Sequence, residues 1–341
     1  MALLLLLWKM GCCEHLRIRR AKRLPKLDPH SVLSHTLFVE FPFLYRCAFE
    51  SGVVRVAGIP RIIAKFGLHN VAKQYDDMDI LLREMLMHHA DSPRGSLAIR
   101  RLNFIHSFYA IANEDYLYVL AVYVVNFVEW TDKYGYRKLT EMEKGCHYRV
   151  WHDIAKRMGI HNIPPSVEEL ARYRDEYEAK HMRYSDCNRE FAEAGMKLML
   201  GEMPWLCRRP LRKLLLSVLD ERLLAALGFP KQPAWLGFMA RSLLNLHKLT
   251  VRWMPPRPLS CARTRISLMT GCPLLFNLSS SPLELQTLPL SFHRFRPRVY
   301  ENGYKIAHLG GMKPGRVGSV CSIDAQGGLL CPPLTLAPFT S

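Results

Sequence analysis

The residues with the clearest capacity for chemistry lie around His106, in the segment from Arg100 to Tyr109. A histidine among apolar and aromatic neighbours, with basic residues close by, has the surroundings that a buried iron porphyrin requires of its ligand. The same pattern is typical of a hydrogen-bonded core histidine, so periodicity alone leaves both interpretations open. Read at 3.6 residues per turn, one helical face carries Ile99, Leu102, Asn103, His106, Tyr109 and Asn113.

Glu129 is a second candidate for chemistry, because the pattern around it predicts a buried helix. A carboxylate in such a place needs a charged partner, and Arg137 or Arg101 would supply one. A proton-relay role is the functional alternative. For metal binding, His147 and His152 are five residues apart and fall on different helix faces, which disfavours a shared ion.

Composition and motifs disfavour several classes of protein. The ten cysteines include no CxxC pair, which argues against a disulfide framework and a cysteine-based zinc site. The chain has no Gly-rich phosphate loop, Ser-His-Asp order or HExxH motif, so nucleotide-binding, hydrolase and zinc-protease functions are disfavoured. The formal charge of +17 is high. Because no zinc-finger spacing or RNA-binding signature accompanies it, nucleic acid is not an expected partner.

The N-terminal residues bear on membrane association. Residues 2–8 are strongly apolar, Lys9 interrupts them, and a basic run follows at 17–23. A spanning helix needs about 20 apolar residues, so residues 1–25 are predicted to be a short apolar segment with a basic flank. This segment is either a truncated membrane anchor or an interfacial segment, and its basic residues fit a membrane-proximal, cytoplasmic position.

The periodicity of apolar residues predicts an all-α protein. Nearly every segment from Phe43 to Trp253 repeats with a helical period, and Tyr116–Trp130 is predicted to be a central buried helix. Residues 40–255 are therefore predicted to form one multi-helix domain. The stretch from Pro25 to Pro42 is predicted to be a connector. Residues 256–341 are predicted to be an irregular, poorly ordered tail, because Pro, Ser, Thr and Arg become frequent there.

Capping residues predict where several helices begin and end. The segment Thr140–Glu143 fits a capping box, and Ser166–Glu169 repeats the pattern. A further helix is predicted from Leu211 to Leu227, ended by Gly228. Four further residues are predicted to have structural roles. Asn113 and Asp115 are expected to cap the helix that follows them, and Trp130 and Trp151 are expected to pack in the core.

Two blocks of the chain, residues 101–170 beginning RLNFIHSFY and residues 181–190 reading HMRYSDCNRE, resemble a known family. This is the fungal ER-bound oxygenase MpaB family, which shares its catalytic domain with the bacterial latex-clearing rubber oxygenases. The resemblance covers roughly residues 40–255. The residues in register with the family are His106, Asn113, Asp115, Tyr118, Trp130, Trp151 and Pro164.

The resemblance implies an all-helical fold and, as in the rubber oxygenases, haem b held by one histidine. It implies that dioxygen is used to cleave a carbon–carbon double bond in an isoprenoid chain. MpaB similarly shortens a farnesyl side chain while anchored in the endoplasmic reticulum. The family's proximal histidine lies in the helix matching RLNFIHSFY, which assigns the iron to His106. Arg100 or Arg101 would pair with the haem propionates, unless they form an ordinary solvated helix edge.

The resemblance also assigns the surroundings of the cofactor. Gln74 and Met78 occupy the positions where relatives carry an Arg and a Thr on the distal side. Loss of the Arg removes a cation that would stabilise a bound oxygen species, and Met is an apolar, oxidisable replacement. Tyr109 is expected at the cofactor. The nearest walls for an apolar substrate would be Leu102, Phe104, Tyr109 and Tyr118.

The predicted function is that of a membrane-associated, haem-dependent oxygenase. It would act with dioxygen on an apolar, isoprenoid-bearing small molecule at the endoplasmic reticulum membrane, with most of the chain in the cytosol. The catalytic positions would be Glu129, Gln74 and Met78. The alternative is a catalytically impaired relative that serves as a membrane-bound ligand-binding or interaction protein.

Overall fold

The computed structural model describes residues 27–65, 71–201 and 203–254, together with two strands of two residues each further along the chain. Within residues 27–254 the regular elements are helices, so the predicted all-α class is confirmed. The predicted N-terminal segment 1–25 lies outside the described residues. So does the predicted tail, apart from the strands β1 (Ser322–Ile323) and β2 (Leu329–Leu330), which pair antiparallel.

The helices follow one another with short connections, and a π-helical segment at Thr36–Glu40 joins the first two. In chain order they are α1 (Pro29–His35), α2 (Pro42–Ala57), α3 (Pro60–Ile63), α4 (Val71–Met87), α5 (Pro93–His106), α6 (Asn113–Tyr134), α7 (Glu141–Arg157), α8 (Val167–His181), α9 (Asp186–Leu200), α10 (Trp205–Leu216), α11 (Glu221–Ala226) and α12 (Ala234–Trp253).

Helix α6 is the centre of the fold, as predicted, and it packs chiefly against α2 and α8. Its sequence is apolar almost all round, which is typical of a helix that is covered on every side. Gly52 of α2 allows a close approach, because a Cβ atom at this position would lie 3.3 Å from Tyr123 and from Val122. Trp151 is buried and Trp130 packs partly buried against the same core, as predicted.

The capping predictions are confirmed for two helices. The backbone N–H of Glu143 donates to Thr140 Oγ1 at 3.2 Å, and the Thr140 N–H donates to the Glu143 carboxylate at 2.9 Å, which completes the capping box of α7. Ser166 accepts a hydrogen bond from the Glu169 N–H and so caps α8.

Two predictions about helix boundaries are wrong. The stretch from Pro25 to Pro42 is not a connector, because it contains α1 and the π-helical segment. Asp28 caps α1 by accepting from the N–H groups of His30 and Ser31, and the apolar side of this helix is buried. The helix predicted over residues 211–227 is two helices, because Asp220 interrupts it and caps α11. Gly228 ends α11 as predicted, with φ of 67°.

The predicted caps at Asn113 and Asp115 are also wrong, because both side chains have distant partners. The N-cap of α6 is Ala112, which has no side-chain cap. The Asn113 amide instead bonds the backbone of His161 in both directions, at 2.9 and 3.1 Å. Asp115 is buried and paired with basic side chains of the α3 region, Arg61 at 2.8 Å and Lys65 at 3.2 Å.

Candidate active site

Helices α4 and α5 form the hairpin that positions the candidate site. The connection between them spans residues 88–92, and Ser92 caps α5 by accepting from the Gly95 N–H at 3.1 Å. Near the connection, the Arg94 guanidinium donates twice to the Glu84 carboxylate, at 2.6 and 2.7 Å. A bidentate pair of this kind fixes one helix against the other, so the hairpin is held together at its closed end.

Gln74 and His106 are equally far, along their own helices, from the connection of this hairpin. Gln74 is thirteen residues before the last residue of α4, and His106 is thirteen residues after the first residue of α5. At 1.5 Å per residue, each position is about 20 Å from the closed end. Because the two helices pack against one another, the sequence-predicted ligand and the first distal residue fall at the open end of the same hairpin.

His106 has the properties of a neutral ligand. Its ring is half-buried, and its Nδ1 is buried without a hydrogen-bond partner among the described residues. The Tyr116 ring lies against it, with 5.4 Å between ring centroids. Burial lowers the pKa of His106 to about 4. At neutral pH the imidazole is therefore uncharged, which is the form that binds iron.

Gln74 and Met78 stand one helical turn apart on α4. The Gln74 Oε1 is a second buried polar atom without a hydrogen-bond partner among the described residues. Met78 has one, since the Tyr123 hydroxyl of α6 donates to its sulfur at 3.7 Å. The end of α4 that faces away from the connection thus carries one unsatisfied acceptor and one polarisable sulfur in contact with the central helix.

An ion-pair cluster borders this part of α4. The Tyr75 hydroxyl donates to the Glu50 carboxylate and accepts from the Arg46 guanidinium, both through short hydrogen bonds. Arg46 also pairs with Asp79 at 3.1 Å. The members of the cluster on α4, Tyr75 and Asp79, directly follow Gln74 and Met78 in the chain. Their contacts tie α4 to α2 and so hold the helix that carries Gln74 and Met78.

The two arginines predicted at the propionates differ in their surroundings. Arg100 is exposed on α5, whereas Arg101 is buried with its guanidinium 5.2 Å from the centroid of the Phe104 ring. Tyr109, half-buried, follows α5, and its N–H donates to the His106 carbonyl at 2.9 Å. Arg101 and Tyr109 are thus held near the histidine by local contacts, Arg101 with the Phe104 ring and Tyr109 with the His106 carbonyl.

The predicted substrate walls fall in more than one place. Phe104 is buried and packs edge-on against Phe108, with 5.0 Å between centroids. Leu102 is partly buried against the main core. Tyr118 is fully buried in a separate cluster, where its ring stacks on Tyr177 and its hydroxyl donates to Glu178 at 3.1 Å. The structure therefore groups Leu102 and Phe104 with α5 and places Tyr118 in the packing of α6 on α8.

Glu129 is not buried, contrary to prediction. Its side chain is 53% exposed, and its partner is neither Arg137 nor Arg101 but Arg174 of α8, with two contacts of 2.8 Å. The prediction failed because α8 is distant in the sequence but runs alongside α6. Glu129 is also thirteen residues along α6 from Tyr116, which touches His106, and this separation is about 20 Å. The structure does not bring Glu129 to the histidine.

His147 is a buried histidine that sequence reasoning set aside. Its Nε2–H donates to the Val124 carbonyl at 3.1 Å, and its Nδ1 is buried without a partner among the described residues. Burial lowers its pKa to about 4, against the effect of the hydrogen bond to Val124. A small, mainly aromatic cavity adjoins the ring, and it is lined by Tyr45, Ala48, Phe49, Leu82, Tyr123, Phe127, His147 and Trp151.

The signal that marks His147 in the sequence is its position four residues before Trp151, on the buried face of α7. His152 lies on another face of α7, as predicted from its spacing, and its ring stacks on Tyr148 with 5.5 Å between centroids. In the described part of the chain, no cluster of three or more His, Cys, Asp or Glu side chains could hold a metal ion.

Comparison with known proteins gives the family. Residues 87–253 match the model of the catalytic domain of the ER-bound oxygenases mpaB and mpaB' and the rubber oxygenases. This part of the chain belongs to the oxygenase family. The match runs from the end of α4 to the end of α12, so His106, Arg100, Arg101, Tyr109 and Glu129 lie inside it. Gln74 and Met78 lie before it.

Three fungal relatives are similar to the chain. The ER-bound oxygenase mpaB' of Penicillium brevicompactum is 28% identical over 254 residues, which cover 67% of this chain and 60% of the relative. The ER-bound oxygenase mpaB of Penicillium roqueforti (strain FM164) is 28% identical over 227 residues, covering 55% of this chain and 76% of the relative. The ER-bound oxygenase mpaB of Penicillium brevicompactum is 26% identical over 256 residues, covering 67% and 58%. The match thus spans less than two thirds of both P. brevicompactum proteins.

The relatives' description as ER-bound raises the question of a membrane span. Among the described residues, none of the helices combines the length and the apolar character that crossing a bilayer demands.

Proposed function

We propose that this protein is a haem-dependent oxygenase that uses dioxygen to oxidise or cleave an apolar, isoprenoid-bearing small molecule at the endoplasmic reticulum membrane. The oxygenase class comes from the family, and each of the three relatives is named an ER-bound oxygenase. The cofactor, substrate class and location are the proposal. The observation that carries the cofactor is the buried, unpaired Nδ1 of His106.

The residues around His106 fit a haem group by two independent criteria. A proximal ligand must be neutral, and burial lowers the pKa of His106 to about 4, so one of its two ring nitrogens keeps a free lone pair near pH 7. The Nδ1 of His106 is also buried without a hydrogen-bond partner among the described residues. Leaving a buried polar atom unpaired costs about 1–3 kcal/mol of folding free energy. Binding of iron would remove that cost.

The other residues of the site would bind and orient the cofactor and its substrate. Arg100 or Arg101 would hold the propionates as a charge-assisted hydrogen-bond donor. Gln74 has a carboxamide whose Oε1 is unsatisfied, so it would accept a hydrogen bond from a group on the distal side. Met78 and the buried ring of Phe104 would exclude water and present an apolar surface to an isoprenoid chain. Haem b, when bound, would supply the redox chemistry that activates dioxygen.

A specific observation gives a second candidate for the ligand. His147 already donates one ring hydrogen to the Val124 carbonyl, as ligating histidines often do toward a carbonyl or carboxylate. Its other nitrogen, Nδ1, is unpaired. The cavity beside it is small and enclosed by aromatic side chains, which favours His106 for a group as large as a porphyrin.

An absorption spectrum with a pyridine haemochrome assay tests the cofactor and its ligand together. Wild type, His106→Ala and His147→Ala would be expressed with ample haem, and folding checked by circular dichroism. We expect near-stoichiometric haem in wild type and His147→Ala and loss of at least about tenfold in His106→Ala. Loss in His147→Ala alone would move the ligand to α7. A colourless, folded wild type would reject haem dependence.

The substrate class needs a separate measurement. Haem-loaded protein would be supplied with a farnesylated aromatic compound and with the same aromatic compound without its prenyl chain, and dioxygen uptake would be followed with an electrode. We expect uptake with the prenylated compound only, with products shortened within the chain. Haem without uptake for either compound would support the impaired relative predicted as the alternative.

A further inference from the structure

Helix α12 has two apolar stripes, and only one of them is buried. The buried stripe includes Leu236, Gly237 and Ala240, with Gly237 close to the end of α10. The second stripe points away from the fold, and its members recur at three- and four-residue spacing along the whole helix. Its exposed side chains are Trp235 (63%), Phe238 (69%), Met239 (39%), Leu243 (50%), Leu246 (56%), Leu249 (46%) and Trp253 (49%).

Helix α10 extends this exposed surface. It packs against α12, and its first two residues, Trp205 and Leu206, are 75% and 67% exposed. An exposed apolar stripe that runs along a whole helix, beside a helix that also exposes a Trp and a Leu, is unusual for a soluble surface and marks an interaction site. The α10–α12 face is defined by the exposed apolar residues of α12 together with Trp205 and Leu206.

Basic side chains border the α10–α12 face. On α12, Arg241, Lys248 and Arg252 recur at seven- and four-residue spacing, which places them along one edge of the apolar stripe. The sequences of α10 and α12 contain no Asp or Glu. On α10 the basic residues are Arg208, Arg209, Arg212 and Lys213, of which Arg212 pairs with Glu193 of α9.

We propose that the α10–α12 face docks on a bilayer that contains anionic lipids, with α12 lying in the plane of the membrane. A helix with a large apolar stripe, Trp residues and a Lys/Arg edge has the pattern of an interfacial membrane helix. Trp235 and Trp253 stand about 27 Å apart along the helix axis, so both would lie at the level of the lipid headgroups, where tryptophan is favoured. This inference deepens the proposed membrane location and does not depend on haem.

Charge selects a bilayer over a second copy of the chain. A symmetric dimer through this face would bring the basic edges of two copies together without carboxylates from α10 or α12 to pair with them. Anionic headgroups would instead pair with every basic residue of the edge, each contributing to binding near the surface.

Vesicle co-sedimentation of the full chain tests the proposal. The vesicles would be phosphatidylcholine alone and phosphatidylcholine with about one third phosphatidylserine, and the variant Leu246→Glu would be compared with Leu27→Glu. Leu27 is a matched control, because it is also an exposed leucine, at 50% against 56%. We expect wild type and Leu27→Glu to bind the anionic vesicles alike. Leu246→Glu should bind at least about tenfold more weakly, because a leucine that would be buried in the bilayer is replaced by a charge.

The basic edge is tested by Arg241→Glu with Lys248→Glu. Here we expect the preference for anionic over neutral vesicles to fall by at least about fivefold for each basic residue replaced, because each substitution removes a positive charge and adds a negative one. Equal binding by wild type and Leu246→Glu would overturn the proposal, as would no binding of wild type to either vesicle. A wild-type dimer in analytical ultracentrifugation that Leu246→Glu converts to monomer, without vesicle binding, would make the face a self-contact. Haem content measured on the same samples keeps failure of the oxygenase proposal separate from failure of this one.

Discussion

The Tyr177 hydroxyl donates a hydrogen bond of 2.5 Å to Asp115 Oδ1 and thereby joins helix α8 to the first turn of the central helix α6. Asp115 is 1% exposed and also accepts from Arg61 and Lys65, so three elements meet at one carboxylate. The carboxylate therefore fixes the start of the helix whose Tyr116 lies against His106.

Asp115→Ala is expected to destabilise the protein by about 3 kcal/mol, because it leaves the Tyr177 hydroxyl and two basic groups without their shared buried acceptor. Urea unfolding followed by circular dichroism measures the change. The neighbouring Glu114 is the control, since it is 64% exposed and its contact with Arg61 is 3.6 Å. Glu114→Ala should change the free energy of unfolding by less than about 0.5 kcal/mol, and equal effects from the two substitutions would contradict the assignment.

The stability of the haem-free protein should fall as the pH drops from about 6.5 to about 4. In the unfolded chain a histidine binds a proton near pH 6.5, whereas burial lowers the pKa of both His106 and His147 to about 4 in the native state. The unfolded state therefore binds more protons in this window, and stability decreases with falling pH by about 1.4 kcal/mol per pH unit for each histidine. Urea unfolding at several pH values of His106→Phe and His147→Phe should show a shallower slope for each, and an unchanged slope would contradict the burial.

Gln74→Arg is expected to raise the rate of dioxygen uptake in the haem-loaded protein. The family resemblance puts an arginine at this position, and a guanidinium near the distal side would stabilise negative charge that develops on dioxygen during its reduction, an effect of about tenfold. Uptake is measured with the prenylated substrate, and Gln232→Arg serves as the control, because it makes the same substitution in the connection between α11 and α12, away from the candidate site. A Gln74→Arg protein with full haem content and unaltered uptake would remove Gln74 from the distal side.

Glu129→Gln should leave the rate of dioxygen uptake within about twofold of wild type. Its carboxylate is half-exposed, pairs with Arg174 and lies about 20 Å along α6 from the turn that touches His106. Because the pair is open to solvent on one side, its loss should cost no more than about 1 kcal/mol of stability. A loss of uptake of a hundredfold with haem content preserved would restore Glu129 to the proton relay that the sequence suggested.

The sequence predicted those features of the fold that depend on neighbouring residues. Period and length fixed α6 as a central helix, and the Thr140–Glu143 box marks the start of α7 because both partners lie within one turn. The start of α1 is marked in the sequence by the cap at Asp28 and the proline after it. The helix was nevertheless missed, because seven residues are too few for a helical period to be recognised. The resemblance to the oxygenase family supplied His106, which no periodic pattern singles out from a core histidine.

Tertiary structure alone decided which side chains meet. The pairing of Asp115 with Arg61, of Glu129 with Arg174, and of His147 with the Val124 carbonyl joins residues that are far apart in the chain. The hydrophobic pattern of α12 likewise shows that the helix is apolar, and only packing shows that one of its two stripes is left exposed. The physical reason is that a local pattern reports only the polarity of a helix face. The helix that covers this face, and with it the partner and the charge state of each side chain, comes from another part of the chain and is decided by packing.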